Sequence, residues 1–174
     1  AVLTISPALA EYACTHPGVE RRHLLIENSL FEPVRFADVA GTHDAGPPPP
    51  DLPLGVPVVG YAGTFETYQG IDLLILAHAR LLETIPEAIL LLVGGSPAQV
   101  ARSRELAQAL TIDEACRFTG TVPQTAAQAL MARASVVVSP RTRGTNTPLK
   151  IYEILSRDVP LVATDIPSHT QVLS

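Results

Sequence analysis

The stretch RTRGTNTPLKIYEIL, residues 141–155, gathers Arg141, Arg143, Lys150 and Glu153 around a Thr-Asn-Thr-Pro turn, and Lys150 is the only lysine in the chain. Basic groups at this density suit an anion. With Thr147 as N-cap, Pro148 takes the first helical position, where its fixed φ and missing N–H do no harm. Lys150 is then the third helical residue, and a cation there opposes the helix dipole by about 0.3–1 kcal/mol. A docked anion reverses that sign, because free N–H groups, dipole and Lys150 converge on one phosphate. A solvated lysine on an exposed turn explains Lys150 alone about as well, but two arginines on the same loop favour the phosphate. Glu153 lies deeper in the helix, where a carboxylate accepts hydrogen bonds from a diol such as ribose. An i,i+4 pair with Arg157, about 0.3–0.5 kcal/mol, is its plainer role, and the two are compatible.

Other stretches carry weaker signals. GYAGTFETYQG, 60–70, brings Gly60, Gly63 and Thr64 to a strand end, where backbone can approach a ligand closely. It is not GxGxxG, and turn glycines explain it equally well. Gly94 and Gly95 in LLLVGGSP line a crevice or merely turn the chain, and FTGTVP, 118–123, offers backbone groups to a flat ring. The five histidines have no HxxH or HExxH spacing, so no metal site is expected; His78 reads as an ordinary helix residue. No GxSxG supports a serine nucleophile. The formal charge of −5 argues against nucleic acid as a partner. Residues 133–157 nevertheless carry a local +4, a basic island suited to one anionic ligand.

The elements that must position these residues form three zones. Residues 1–36 read strand (AVLTIS), helix (PALAEYACTHPG) and strand (HLLIENSLF), with Ser6 capping the helix and Pro7 opening it. Residues 38–57 hold four consecutive prolines, 47–50, and read as a stiff linker. From 58 onward, strands VPVVGYAG, AILLLVGG, CRFTGTV, ASVVVSP and VPLVATD alternate with helices beginning near 70, 97, 124 and 148. Continuous apolar strands separated by helices predict an α/β fold, a Rossmann-like parallel sheet with helices on both faces. Gly, Ser and Thr at the strand ends place a ligand crevice at the carboxyl edge.

Hydrophobic residues make up 47% of the 174, ample for a core. No apolar run is long enough to span a bilayer, and the first residues lack the basic flank of a signal peptide. Cys14 and Cys116 have neither CxxC nor metal spacing and read as free thiols, in keeping with a soluble, cytoplasmic chain. Both ends look cut from something larger.

In order and content, GYAGTFETYQGIDLL, ILLLVGGSP, CRFTGTVP and ASVVVSPRTRGTNTPLKIYEILSRDVPLVATD resemble the C-terminal half of retaining glycosyltransferases of family four, with the two-Rossmann-domain GT-B fold. LTISPALAEYACTHPGVERRHLLIENSLFEPVRF is similar to the end of that family's N-terminal domain. The resemblance implies 1–37 as the end of the acceptor-side domain, 38–57 as linker, and 58–174 as a nucleotide-sugar-binding domain incomplete at its C-terminus. It also implies a nucleotide-diphosphate donor, a UDP-sugar or GDP-sugar, with no cofactor and no metal. Gly63 and Thr64 lie by the diphosphate, and backbone near Val122 meets the base. Glu153, the second of the family's two glutamates eight positions apart, meets the ribose, while the first falls on Thr145. Backbone N–H groups around Asn146, Thr147 and Leu149 take the diphosphate. A basic residue usual before the loop's last glycine is here Gln69, and Arg141 or Arg143 is the candidate replacement. Lys150, Arg143 and Glu153 are the implied catalytic residues.

The resulting expectation is a glycosyltransferase fragment, inactive alone, that transfers to a carbohydrate or lipid-linked acceptor through a missing domain. The full protein would be cytoplasmic, with peripheral membrane association at the inner face. A nucleotide-sugar epimerase of the same fold and a non-catalytic binding or assembly module remain alternatives. A dinucleotide oxidoreductase is disfavoured by the missing GxGxxG with its acidic residue about twenty positions on.

Overall fold

The computed structural model describes residues 1–26, 50–144, 146, 148–157 and 159–173. The first segment contains β1 (Val2–Thr4), α1 (Pro7–Cys14) and β2 (His23–Leu25), with β1 and β2 paired in parallel. Ser6 has extended backbone angles, and its hydroxyl accepts from the Leu9 N–H at 3.4 Å, with Pro7 opening the helix as expected. The strand expected through Phe31 is described only as far as Leu25, and positions 27–49, most of the expected linker, lie outside the described residues.

The second segment contains β3 (Val58–Ala62), α2 (Ile71–Leu81), β4 (Ile89–Val93), α3 (Pro97–Ala109), β5 (Cys116–Gly120), α4 (Gln124–Met131), β6 (Val136–Ser139), α5 (Leu149–Leu155), β7 (Leu161–Ala163) and α6 (Pro167–Leu173). All five strands are parallel, in the order β5-β4-β3-β6-β7. The chain runs outward from β3 to β5, then returns to the other side of β3. The order therefore reverses between β3 and β6, and a crevice opens above their carboxyl ends.

The continuous apolar run of β4 follows from burial on both faces. Leu90 and Leu92 enter one core with Ile71, Leu74 and Ile75 of α2, while Ile89, Leu91 and Val93 enter the other with Met131 and Ile154. Leu52, from the end of the proline-rich stretch, is also buried in that second core, and Arg133 donates to its carbonyl at 2.8 Å. The last residues before β3 thus pack as part of this domain.

Two departures from expectation concern helix ends. α5 begins at Leu149, with Pro148 in the cap position at ψ 130°, so Pro148 is not its first helical residue and Lys150 is the second. Proline's φ is compatible with either place, and the extended ψ decides it. α6 was not expected, because seven residues carry too little periodicity to announce a helix. Among the described residues no helix is long and apolar enough to cross a membrane.

Candidate functional site at the carboxyl edge of the sheet

Two adjoining pockets of about 330 and 230 Å³ share Ala62 and Gly63 at the end of β3 and Ala127 on α4. Together they are large enough for a nucleotide-sized ligand. The first runs over Gly94 and Gly95 to Thr121 and Val122, and the second passes under Lys150 to Glu153 and Arg157. Gly94 has φ 114°, and a Cβ there would fall 2.0 Å from the Gly63 carbonyl oxygen, so only glycine lets these loops meet. Gly70, at φ 73°, approaches the β6 loop equally closely: its Cβ would lie 2.0 Å from the Pro140 oxygen. The Thr142 N–H donates to the Tyr68 carbonyl at 2.8 Å beside it, which ties the β3 loop to the 141–144 loop.

Lys150 leans into the crevice. Its Nζ lies 4.3 Å from the centroid of Tyr61, a fully buried ring whose hydroxyl donates to the Thr64 carbonyl at 2.7 Å. Among the described residues no carboxylate pairs with it. Burial, and then the Arg141 charge, pull the Lys150 ammonium down to about 8. Burial likewise pushes the Tyr61 phenol upward. The amine is thus a desolvated cation held on an aromatic face, with no counter-charge among the described residues, beside the Gly63 backbone.

The arginines divide. Arg141 is occupied by its own loop: Nε donates to the Arg143 carbonyl at 2.6 Å, Nη1 donates to the Asn146 carbonyl at 3.2 Å, and the guanidinium sits 5.2 Å above the Tyr68 ring. It shapes the loop from which Lys150 departs. Arg143 is exposed on the same loop. Asn146 accepts from the Ser6 hydroxyl at 3.4 Å, joining this loop to the N-terminal cap of α1. Leu149 is 66% exposed at the start of α5, and Thr145 and Thr147 lie outside the described residues. Glu153 makes the expected pair with Arg157, 3.1 Å, and also accepts from the Gln128 amide at 2.8 Å. Gly63, Thr64, Val122, Lys150 and Glu153 thus meet around one crevice, whereas Arg141 and Arg143 do not line it.

Sequence reasoning missed several contributors. Tyr61 is an apolar-strand residue whose role depends on a partner from α5. Gln128 is one of many polar helix residues. Ser96 and Gln99 form a reciprocal capping box at the rim, and the S-x-x-Q spacing was a legible signal for it. His169 is buried under the 139–144 loop. Its Nδ1 lies 2.8 Å from the Thr164 carbonyl, which can only accept, so Nδ1 carries the proton. Nε2 then accepts from the Ser139 hydroxyl at 3.0 Å, and the Thr164 hydroxyl donates to the Arg141 carbonyl. Burial holds the ring below its ordinary pKa, opposed by the Thr164 bond and reinforced by the Lys150 and Arg141 charges.

A five-stranded parallel sheet with its site at the reversal of strand order defines a Rossmann-type α/β domain. Residues 47–174 match the family described as Glycosyl transferases group 1, and the chain belongs to that family. No curated protein matches it. Among solved structures, HepE from Anabaena with UDP-glucose is similar at TM-score 0.72 and 19% identity, over 99% of this chain and 47% of that one. A glycosyltransferase from Rickettsia africae ESF-5 gives TM-score 0.72 at 16% identity, covering 99% and 46%. Sucrose-phosphate synthase from Thermosynechococcus elongatus gives 0.67 at 26%, covering 95% and 40%. The chain therefore spans less than half the length of these structures, and its α/β fold matches the corresponding part of these glycosyltransferases.

Proposed function

We propose that this chain is the donor-binding part of a retaining, metal-independent glycosyltransferase and holds a UDP-sugar or GDP-sugar across the two pockets. The observation that carries the reading is Lys150, a largely desolvated ammonium, unpaired among the described residues, at the point where strand order reverses. Such a cation is costly unless a ligand anion completes it. The diphosphate lies between Lys150 and the Gly63–Thr64 backbone, the base lies toward Val122, and the ribose lies toward Glu153. The loop residues Asn146 and Leu149 border the phosphate end. When the anomeric C–O bond breaks, its electron pair passes to the diphosphate, and Lys150 stabilises that charge, with Arg143 joining from the exposed loop.

The acceptor, a carbohydrate or a lipid-linked sugar, reaches the anomeric carbon from an acceptor-side domain, so this chain does not turn over alone. The whole protein works in the cytoplasm, associated with the inner face of the membrane. HepE carries UDP-glucose in a fold of this kind, which supports the donor class. Calorimetric titration with UDP, GDP and ADP, with and without Mg²⁺, tests the reading. Saturable binding of one of them, unchanged by Mg²⁺ and weakened in Lys150→Ala, is expected. Binding to none, or binding indifferent to Lys150, would refute it.

A further inference from the structure

The Glu153 carboxylate is held from two directions. Arg157, one turn further along the same helical stretch, donates to Oε1 at 3.1 Å, and Gln128, across the crevice on α4, donates to the same Oε1 at 2.8 Å. Among the described residues none donates to Oε2, and Glu153 lines the second pocket. An i,i+4 pair with both partners more than a third exposed is too weak to fix a side chain by itself, and Arg157 pulls the carboxylate along the helix toward solvent. Gln128 supplies the opposing restraint. It is half-buried, and its neighbours Ala127 and Met131 form an apolar floor to the same pocket. The result is one saturated carboxylate oxygen and one with its lone pairs free at the crevice wall. An ionised carboxylate can only accept, so a free Oε2 selects hydroxyl donors and repels phosphate.

We propose that Gln128 is a positioning residue that holds the free oxygen of Glu153 for a vicinal diol, so that the site discriminates ribonucleotides from deoxyribonucleotides. The inference rests on the donor-site reading but assigns a selectivity and a residue that reading does not need. A substrate lacking one hydroxyl would leave the carboxylate oxygen desolvated without a donor, and sites built on hydrogen bonds reject such analogues strongly.

The test measures binding of UDP, GDP and ADP and their 2′-deoxy counterparts to the wild-type chain, to Gln128→Met and to Arg157→Met, with thermal unfolding of each. For whichever nucleotide binds, the wild type should prefer the ribose form by about tenfold or more, the size of one charged hydrogen bond. Gln128→Met, close in shape but without a donor, should bring that preference to within about threefold while leaving deoxy binding and unfolding temperature near wild type. A merely structural role for Gln128 would lower both affinities together. A wild type that binds but does not distinguish ribose from deoxyribose, or a variant that loses both equally, overturns the inference alone. A wild type that binds none of the nucleotides overturns the donor-site reading and this inference with it.

Discussion

Replacing Lys150 by methionine should make the free protein more stable and, at the same time, unable to bind its ligand. Methionine keeps the apolar stem on the Tyr61 ring and removes the charge. The pull of the ammonium from 10.5 to about 8 corresponds to about 3 kcal/mol of unfavourable burial and, second, repulsion by Arg141, at roughly 1.4 kcal/mol per unit. The contact with Tyr61, at 4.3 Å, returns about 1–2 kcal/mol. A net stabilisation of about 1–2 kcal/mol is expected at pH 7, read as a rise in Tm of about 3–6 °C for a chain of this size. The sign can be checked independently through pH. Because the folded amine has the lower pKa, the unfolded chain binds more protons between about 8 and 10.5, so wild-type stability rises with pH across that window. Lys150→Met should lack this rise, so the gap between the two proteins should close within that window. Saturating nucleoside diphosphate should invert the ranking, since it stabilises only the chain that binds it. An unchanged or lower Tm for the variant at pH 7, with the alkaline rise intact, would show that Lys150 is not the desolvated group and would refute the reasoning.

Titration with the three nucleoside diphosphates should give metal-independent binding of one of them, and Lys150→Ala should weaken it by more than about 1.5 kcal/mol, the lower range for a charged hydrogen bond. Gln128→Met should erase the ribose preference without general loss of affinity, as measured with paired ribose and deoxyribose ligands. Stability should fall as pH drops below about 6.5, because His78 and His169 are held neutral by burial and the unfolded chain takes up their protons more readily. His169→Asn should be less stable at pH 7 but show a shallower acid slope in denaturant titrations, with His78 supplying the remainder. Gly94→Ala should cost more than about 2 kcal/mol, since the new Cβ meets the Gly63 backbone at a φ of 114°. Nucleotide binding should weaken with it, both seen by thermal unfolding with and without ligand.

The sequence determined the architecture because burial on both faces writes itself into consecutive residues. The run ILLLV of β4 has no polar position, and the alternation of such runs with helical patterns leaves few arrangements other than a covered parallel sheet. Local chemistry was legible for the same reason, as with Ser6 and Pro7 at the start of α1. Glu153 was placed with both of its compatible roles, and the ion pair is present. The tertiary structure alone decided what each charged group meets. Arg141 and Lys150 read alike as members of one basic island, yet Arg141 is taken up by the carbonyls of its own loop while Lys150 rests on Tyr61 with no carboxylate partner among the described residues. Gln128 and His169 carried no signal, because their meaning comes from Glu153, Ser139 and Thr164 on other elements. Backbone pattern is a local property of the chain. The partner of a side chain, and so its charge, its freedom and its chemistry, is settled only when strands distant in sequence become neighbours in the sheet.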